Sequence, residues 1–112
     1  MSRRTAALLL AGCALGAGSA HAGPTLEQQF AQPGASARPR VWWHWIDGNV
    51  TREGITRDLE WMQRSGIAGF QMFDVGRGFP ALVEEPAPYL SPHWKDLLHH
   101  AASEADRLHL EM

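Results

Sequence analysis

Hydrophobic positions are concentrated in three short runs along the chain. Residues 41–46 (VWWHWI) end at the turn-forming triplet DGN at 47–49, which favours a strand followed by a turn. Residues 67–75 (IAGFQMFDV) form a second apolar run, and residues 108–112 (LHLEM) have the composition expected of the start of a third strand. Runs that are apolar on both faces are typical of parallel strands covered by helices.

A helical pattern separates the first two runs. Thr51 is a predicted N-cap, and Ile55, Leu59 and Met62 recur at helical spacing. Gly66 suits the left-handed position that often ends a helix. We therefore predict one amphipathic helix between the first two strands.

A second helix is predicted to begin at Ser91, with Pro92 at its first position. Its apolar face is expected to consist of Trp94, Leu97, Leu98, Ala101 and Ala105. The preceding segment, residues 76–90, is rich in Gly and Pro and is longer than an ordinary connection. Loops of this length are usually functional or flexible.

The resulting order of strand, helix, strand, helix and strand predicts an α/β fold with parallel strands joined by right-handed crossovers. A complete (β/α) barrel has about 250 residues. Residues 41–112 are therefore interpreted as the first two β/α units and the start of the third strand of an incomplete (β/α)8 TIM-like barrel, belonging to a longer protein.

The N-terminus has a different character. Residues 1–22 combine Arg3 and Arg4 with a short run of small apolar residues and an Ala-His-Ala cleavage pattern, which predicts a secretory signal peptide and an exported, periplasmic or extracellular protein. Cys13, in the sequence LAGC, leaves a lipoprotein anchor as an alternative. Residues 23–40 are predicted to be a flexible, exposed lead-in to the barrel segment.

Removal of residues 1–22 would leave eight basic and twelve acidic side chains, a formal charge of −4, and no cysteine. Without a basic stripe, nucleic acid is not an expected partner. The apolar part of the leader is too short to span a membrane. A small exported chain without disulfides is expected to belong to a larger structure.

Candidate site residues follow from the rule that function gathers at the carboxyl ends of parallel strands. This rule selects His44, Trp45, Asp47 and Asn49 after the first strand, and Asp74 after the second. Aromatic faces suit the C–H surfaces of sugar rings, and His, Asp and Asn supply hydrogen bonds to hydroxyls. The sequence thus favours a sugar-binding site.

Structural interpretations of the same residues remain open. Alternation along a strand places Trp43 and Trp45 on one side and Trp42 and His44 on the other. Trp42 and Trp43 are interpreted as core residues, and His44 could also be a hydrogen-bonded core residue. The triplet 47–49 could be only a turn, and Asp74 could orient a neighbouring loop.

The motifs of several other enzyme classes are missing from the sequence. It contains no G-x-S-x-G elbow, no P-loop, no G-x-G-x-x-G after a strand and no H-E-x-x-H. His99 and His100 are adjacent on a predicted helix and cannot both face one metal ion.

The stretches RPRVWWHWIDGNVTREGITRDLEWMQRSGIAGFQMFDVG and PYLSPHWKDLLHHAASEADRLHLEM resemble the start of the bacterial α-L-rhamnosidases of glycoside hydrolase family 106. The resemblance extends from Arg38 to Met112 and implies an exported enzyme with an N-terminal (β/α) barrel. It further implies removal of terminal α-L-rhamnose from plant glycosides or pectic polysaccharide, with inversion and a dependence on calcium.

An inverting glycosidase needs a carboxylic acid and a carboxylate, about 6.5–9.5 Å apart. By resemblance, both are expected to be glutamates beyond this chain, which would lack the acid/base pair and the calcium ligands. The resemblance implies that the candidate residues are substrate contacts: His44, Trp45, Asp47, Asn49 and Asp74. Two alternatives stay open, a non-catalytic carbohydrate-binding protein and a barrel glycosidase for another sugar, and the sequence does not predict an oligomeric state.

Overall fold

The computed structural model describes residues 23–112. Two parallel strands, β1 (Arg40–Ile46) and β2 (Gly69–Val75), form the sheet, and α2 (Arg52–Arg64) connects them. The third helix, α3 (Pro92–Arg107), follows β2, whereas α1 (Leu26–Ala31) and a 3-10 turn (Ala35–Ala37) precede β1. The predicted signal peptide and Cys13 lie outside the described residues.

The helix α2 forms as its sequence predicts. The Thr51 side chain accepts the backbone N–H of Gly54 at 3.0 Å and caps the first turn. Ile55, Leu59 and Met62 are buried on one face. The chain leaves the helix through Gly66 at φ 80°, a left-handed conformation that suits glycine.

The helix α3 begins at the predicted cap. The Ser91 hydroxyl accepts the backbone N–H of Trp94 at 3.1 Å, and Pro92 occupies the first helical position. The buried face consists of Trp94, Leu97, Ala101 and Ala105, and Leu98 is partly buried against it. Because α2 and α3 contact each other and share one core with Trp43 and Trp45, both helices cover the same face of the sheet.

Of the predicted start of a third strand, residues 108–112, only Glu111 pairs with the sheet, through an isolated bridge. Glu111 pairs in parallel with Gly69, donating its N–H to Ala68 at 2.9 Å and accepting the N–H of Phe70 at 2.8 Å. Since β1 pairs along the other edge of β2, the order is β1, β2 and then Glu111. This is the order in which successive units of a (β/α) barrel would follow one another.

Two expectations need correction. Residues 23–40 are exposed as expected, but they contain a short helix, which forms because Thr25 and Gln28 make a reciprocal capping box. Trp42 was interpreted as a core residue and is 71% exposed, because helices cover only the opposite face of the sheet within the described residues.

No helix among residues 23–112 is long and apolar enough to cross a membrane.

Candidate functional site

The parallel register brings the carboxyl ends of β1 and β2 together. His44 pairs with Phe73, and Trp45 pairs with Asp74. His44 and Asp74 therefore lie at the same end of the sheet, as the sequence predicts. They lie on opposite faces, because neighbouring positions along a strand alternate.

The open-face cluster consists of Trp42, His44 and Phe73. The exposed imidazole of His44 lies over the Phe73 ring, with centroids 5.6 Å apart and planes 31° apart. Trp42 contacts both rings, at 6.2 Å from His44 and 5.3 Å from Phe73. This face combines aromatic surface with one hydrogen-bonding ring, a composition suited to binding a small ligand.

Trp45 lies on the other face and is a core residue. Its side chain has 0% exposure and packs against Trp43 at 5.5 Å and Trp94 at 6.0 Å between ring centroids. The predicted contact between Trp45 and substrate is not supported by this position, because the helices separate the ring from solvent. Its indole Nε1–H finds no acceptor within the described part of the chain.

Asp74 is half-buried on the helix-covered face. Its Oδ2 accepts the indole Nε1–H of Trp94 at 2.8 Å, so the carboxylate holds the first turn of α3 against the end of β2. An open cavity of about 610 Å³ begins beside this pair and is lined by Met72, Phe73, Asp74, Gly76, Tyr89 and Trp94. The bond to Trp94 thus supports the structural interpretation of Asp74. One side of the residue still faces the open cavity.

Asp47 connects the turn after β1 to the loop after β2. Its Oδ1 accepts the backbone N–H groups of Arg77 at 2.8 Å and Gly78 at 3.1 Å, and its Oδ2 accepts that of Phe79 at 2.8 Å. These contacts favour the ionised form. The N–H groups of Phe79 and then Arg77 hold the pKa of the Asp47 carboxyl below its ordinary value of 3.8.

Asn49 and Gly48 extend the same connection. The side-chain Oδ1 of Asn49 accepts the backbone N–H of Leu82 at 2.7 Å, and its Nδ2 donates to the Pro80 carbonyl at 3.3 Å. The Gly48 carbonyl accepts the N–H of Ala87 at 2.9 Å. We call residues 47–49 the turn clamp, because together they fix the long loop at several points.

The turn clamp was only partly visible in the sequence. Asp-Gly-Asn was identified as a turn or as a set of sugar contacts, but its bonds to a loop about thirty residues away were not predicted. These bonds could have been predicted from the combination of a turn rich in Asp and Asn after one strand with a long Gly- and Pro-rich loop after the neighbouring strand. Backbone groups in such a loop need partners, and adjacent strand ends place the two segments together.

The described residues do not assemble a calcium site. Within residues 23–112, no group of three or more His, Cys, Asp or Glu side chains is close enough to hold a metal ion. Both carboxylate oxygens of Asp47 already accept N–H groups, so this residue is a poor candidate ligand. No chemical step is therefore assigned to calcium at this site.

Known proteins are similar to this chain in sequence and in fold. The family described as alpha-L-rhamnosidase (Glyco_hydro_106) matches residues 31–112. A protein of Formosa agariphila named "Putative beta-glucuronidase" is 51% identical over 87 residues, which are 78% of this chain and 7% of that protein.

A solved structure is similar to this chain in both fold and sequence. The structure titled "Structure of Rhamnosidase from Novosphingobium sp. PP1Y" matches with a TM-score of 0.75 and 56% identity, over 79% of this chain and 8% of that one. The chain thus spans less than a tenth of the length of either relative. Since the family match includes most of the sequence and the relative in Formosa agariphila is similar across it, the chain belongs to glycoside hydrolase family 106, the alpha-L-rhamnosidase family.

Proposed function

We propose that this chain is the N-terminal part of an exported α-L-rhamnosidase, and that it supplies the first two β/α units of the catalytic (β/α) barrel. The observation that carries this proposal is the 56% identity to a rhamnosidase structure at a TM-score of 0.75. The exposed aromatic and imidazole groups at the carboxyl end of the sheet support it independently.

In this proposal the open-face cluster binds the terminal sugar. A deoxyhexose has an apolar methyl group and C–H faces that can pack on Trp42 and Phe73, while the His44 imidazole can donate to or accept from a hydroxyl. His44 is exposed on the open face of the sheet. It is therefore available to a ligand, which Trp45 is not.

The hydrolytic carboxylates are proposed to come from elsewhere in the complete protein. Inverting hydrolysis needs one protonated carboxyl at the leaving oxygen and one carboxylate that activates water. Asp47 is unsuited to the acid role because its bonds to backbone N–H groups lower its pKa, and Asp74 is bonded to Trp94. Two downstream glutamates are the proposed pair, and any calcium would be held by residues outside this segment.

A second candidate is a β-glucuronidase, because the Formosa agariphila relative carries that name. A glucuronide differs from a rhamnoside by a carboxylate in place of the methyl group. The three residues of the open-face cluster include no Lys or Arg that would pair with a carboxylate, and this composition favours the uncharged sugar.

The experiment is hydrolysis of aryl α-L-rhamnoside and aryl β-D-glucuronide by the complete protein, with His44→Ala compared against His99→Ala. His99 is an exposed histidine on α3 and serves as the matched control. We expect rhamnoside hydrolysis, with kcat/KM lowered about tenfold or more by His44→Ala and unchanged by the control, since a lost charge-neutral hydrogen bond costs about 0.5–1.5 kcal/mol and packing adds to this.

Hydrolysis of the glucuronide alone would replace the first candidate by the second. Sugar binding without hydrolysis of either compound would favour a non-catalytic carbohydrate-binding protein. Equal activity of His44→Ala and the wild-type protein would remove His44 from the site.

A further inference from the structure

The turn clamp has more connections than a local turn requires. Asp and Asn in tight turns usually bond to backbone groups two residues further along. Here the acceptor oxygens of Asp47 and Asn49 are bonded to backbone N–H groups 30 to 33 residues away, in the segment 77–82. Four N–H groups of that segment are satisfied by these two side chains.

The geometry fixes a specific piece of backbone. Only Gly76 separates the segment from β2, so it lies at the carboxyl end of the sheet, where the turn after β1 also lies. Gly78 has φ 73°, so the chain bends at the centre of the carboxylate cradle. The bend allows three successive N–H groups to converge on one carboxylate, an arrangement of backbone dipoles that favours an anion.

The segment also presents an apolar ring to solvent. Phe79 is 55% exposed although its backbone N–H is bonded to Asp47 at 2.8 Å. More than half of this residue is open to solvent, and a fixed exposed aromatic group is suited to contact with a ligand.

We propose that Asp47 and Asn49 are positioning residues, which hold the segment 76–82 as a rim of the sugar pocket, and that Phe79 is the specificity-determining side chain of this rim. The inference rests on the function proposed above. It changes the roles assigned to Asp47 and Asn49 from substrate contacts to positioning residues. Their side-chain oxygens bond to the loop, and they affect the substrate only by holding Phe79 in place.

The test is a double-mutant cycle in the complete protein with Asp47→Asn and Phe79→Ala. Asparagine keeps the size of the side chain and one carbonyl oxygen for Arg77 and Gly78, but it replaces the acceptor that faces the N–H of Phe79. We expect each single variant to raise the KM for an aryl α-L-rhamnoside about tenfold with kcat within about twofold, and the double variant to resemble the single ones.

Trypsin cleavage after Arg77 gives a readout that does not depend on activity. We expect Asp47→Asn to be cut between Arg77 and Gly78 at least about tenfold faster than the wild type, because release of the segment exposes that bond. Glu84→Gln is the matched control, because Glu84 is an exposed carboxylate of the same loop and lies outside the segment 77–82 that Asp47 and Asn49 hold. It should change neither KM nor the cleavage rate.

The failures of the two proposals are distinguishable. An active wild-type enzyme with unchanged KM in Asp47→Asn, or with effects of the two substitutions that simply add, would overturn the positioning role and leave the rhamnosidase assignment intact. A wild-type protein inactive on rhamnosides would refute the proposed function and the substrate role of the rim. An unchanged tryptic rate in Asp47→Asn would overturn the clamp itself.

Discussion

Single residues determine how the carboxyl end of the sheet is organised. Asp47 and Gly48 both have positive φ, 51° and 68°, and these values turn the chain sharply after β1. The sequence predicted a turn here because Asp, Gly and Asn tolerate such conformations. It could not predict the partners of the turn, because residues 77–82 come close only after β1 and β2 have paired.

Gly48→Ala should release the loop that follows β2. A Cβ at this position would clash with the carbonyl oxygen of Ala87, and φ of 68° is unfavourable for alanine. We expect local destabilisation of more than about 1 kcal/mol. Hydrogen exchange of peptides that cover residues 76–90 should accelerate several-fold, whereas Gly23→Ala, in open surroundings, should leave it unchanged.

The contribution of Asp47 should depend on pH. Because the folded-state pKa of this carboxyl is lowered from 3.8, its stabilising effect is present above that value and is lost as the pH falls through the lower folded value. The exchange rate of residues 76–82 in Asp47→Asn, divided by that of the wild type, should stay constant between pH 7 and about pH 5. It should decrease toward one below about pH 4, and a ratio that increases with acidity would contradict the account.

Helices and strands followed from the sequence because their signals are local. The caps Thr51 and Ser91 were identified from single side chains and the apolar positions that follow them. Alternation correctly separated Trp43 and Trp45 from Trp42 and His44. It could not show which row the helices cover, since that depends on the side to which both crossovers pass. For this reason Trp42 was misassigned, and Trp45 was placed among the substrate contacts although it lies in the core.

The attachment of α3 to the sheet should depend on the bond between Trp94 and Asp74. Trp94→Phe retains an aromatic ring but leaves the half-buried carboxylate without its donor at 2.8 Å. We expect a loss of about 1–3 kcal/mol, visible as faster hydrogen exchange in peptides that cover α3. Trp61→Phe, at a site 58% exposed on α2, is the control and should have little effect. Equal effects of the two substitutions would argue against a specific bond.

The whole molecule has one covered face and one open face. Helices bury Trp43, Trp45 and Phe70, while Trp42 is 71% exposed and Ile46 is 39% exposed on the other side of the sheet. Exposed apolar patches of this kind usually mark interfaces or lead to aggregation. The family relatives are more than ten times longer than this segment, and their additional barrel units are proposed to enclose this face while leaving the open-face cluster accessible to the sugar.

Isolated residues 23–112 should therefore be poorly cooperative. We expect a broad thermal transition, binding of a hydrophobic dye, and association that increases with concentration. Trp42→Lys should reduce dye binding and association without changing the buried core, and Trp61→Lys on α2 provides the comparison. A sharp two-state melt of a monomer would contradict this expectation.

The central claim is that the carboxyl ends of β1 and β2 form part of a sugar site. The most direct measurement is a crystal structure of the complete protein with L-rhamnose bound. The account predicts a sugar hydroxyl within about 3 Å of the His44 imidazole and the sugar ring in contact with Trp42, Phe73 or Phe79. A bound sugar that touches none of these residues, in a pocket built entirely by other parts of the protein, would contradict it.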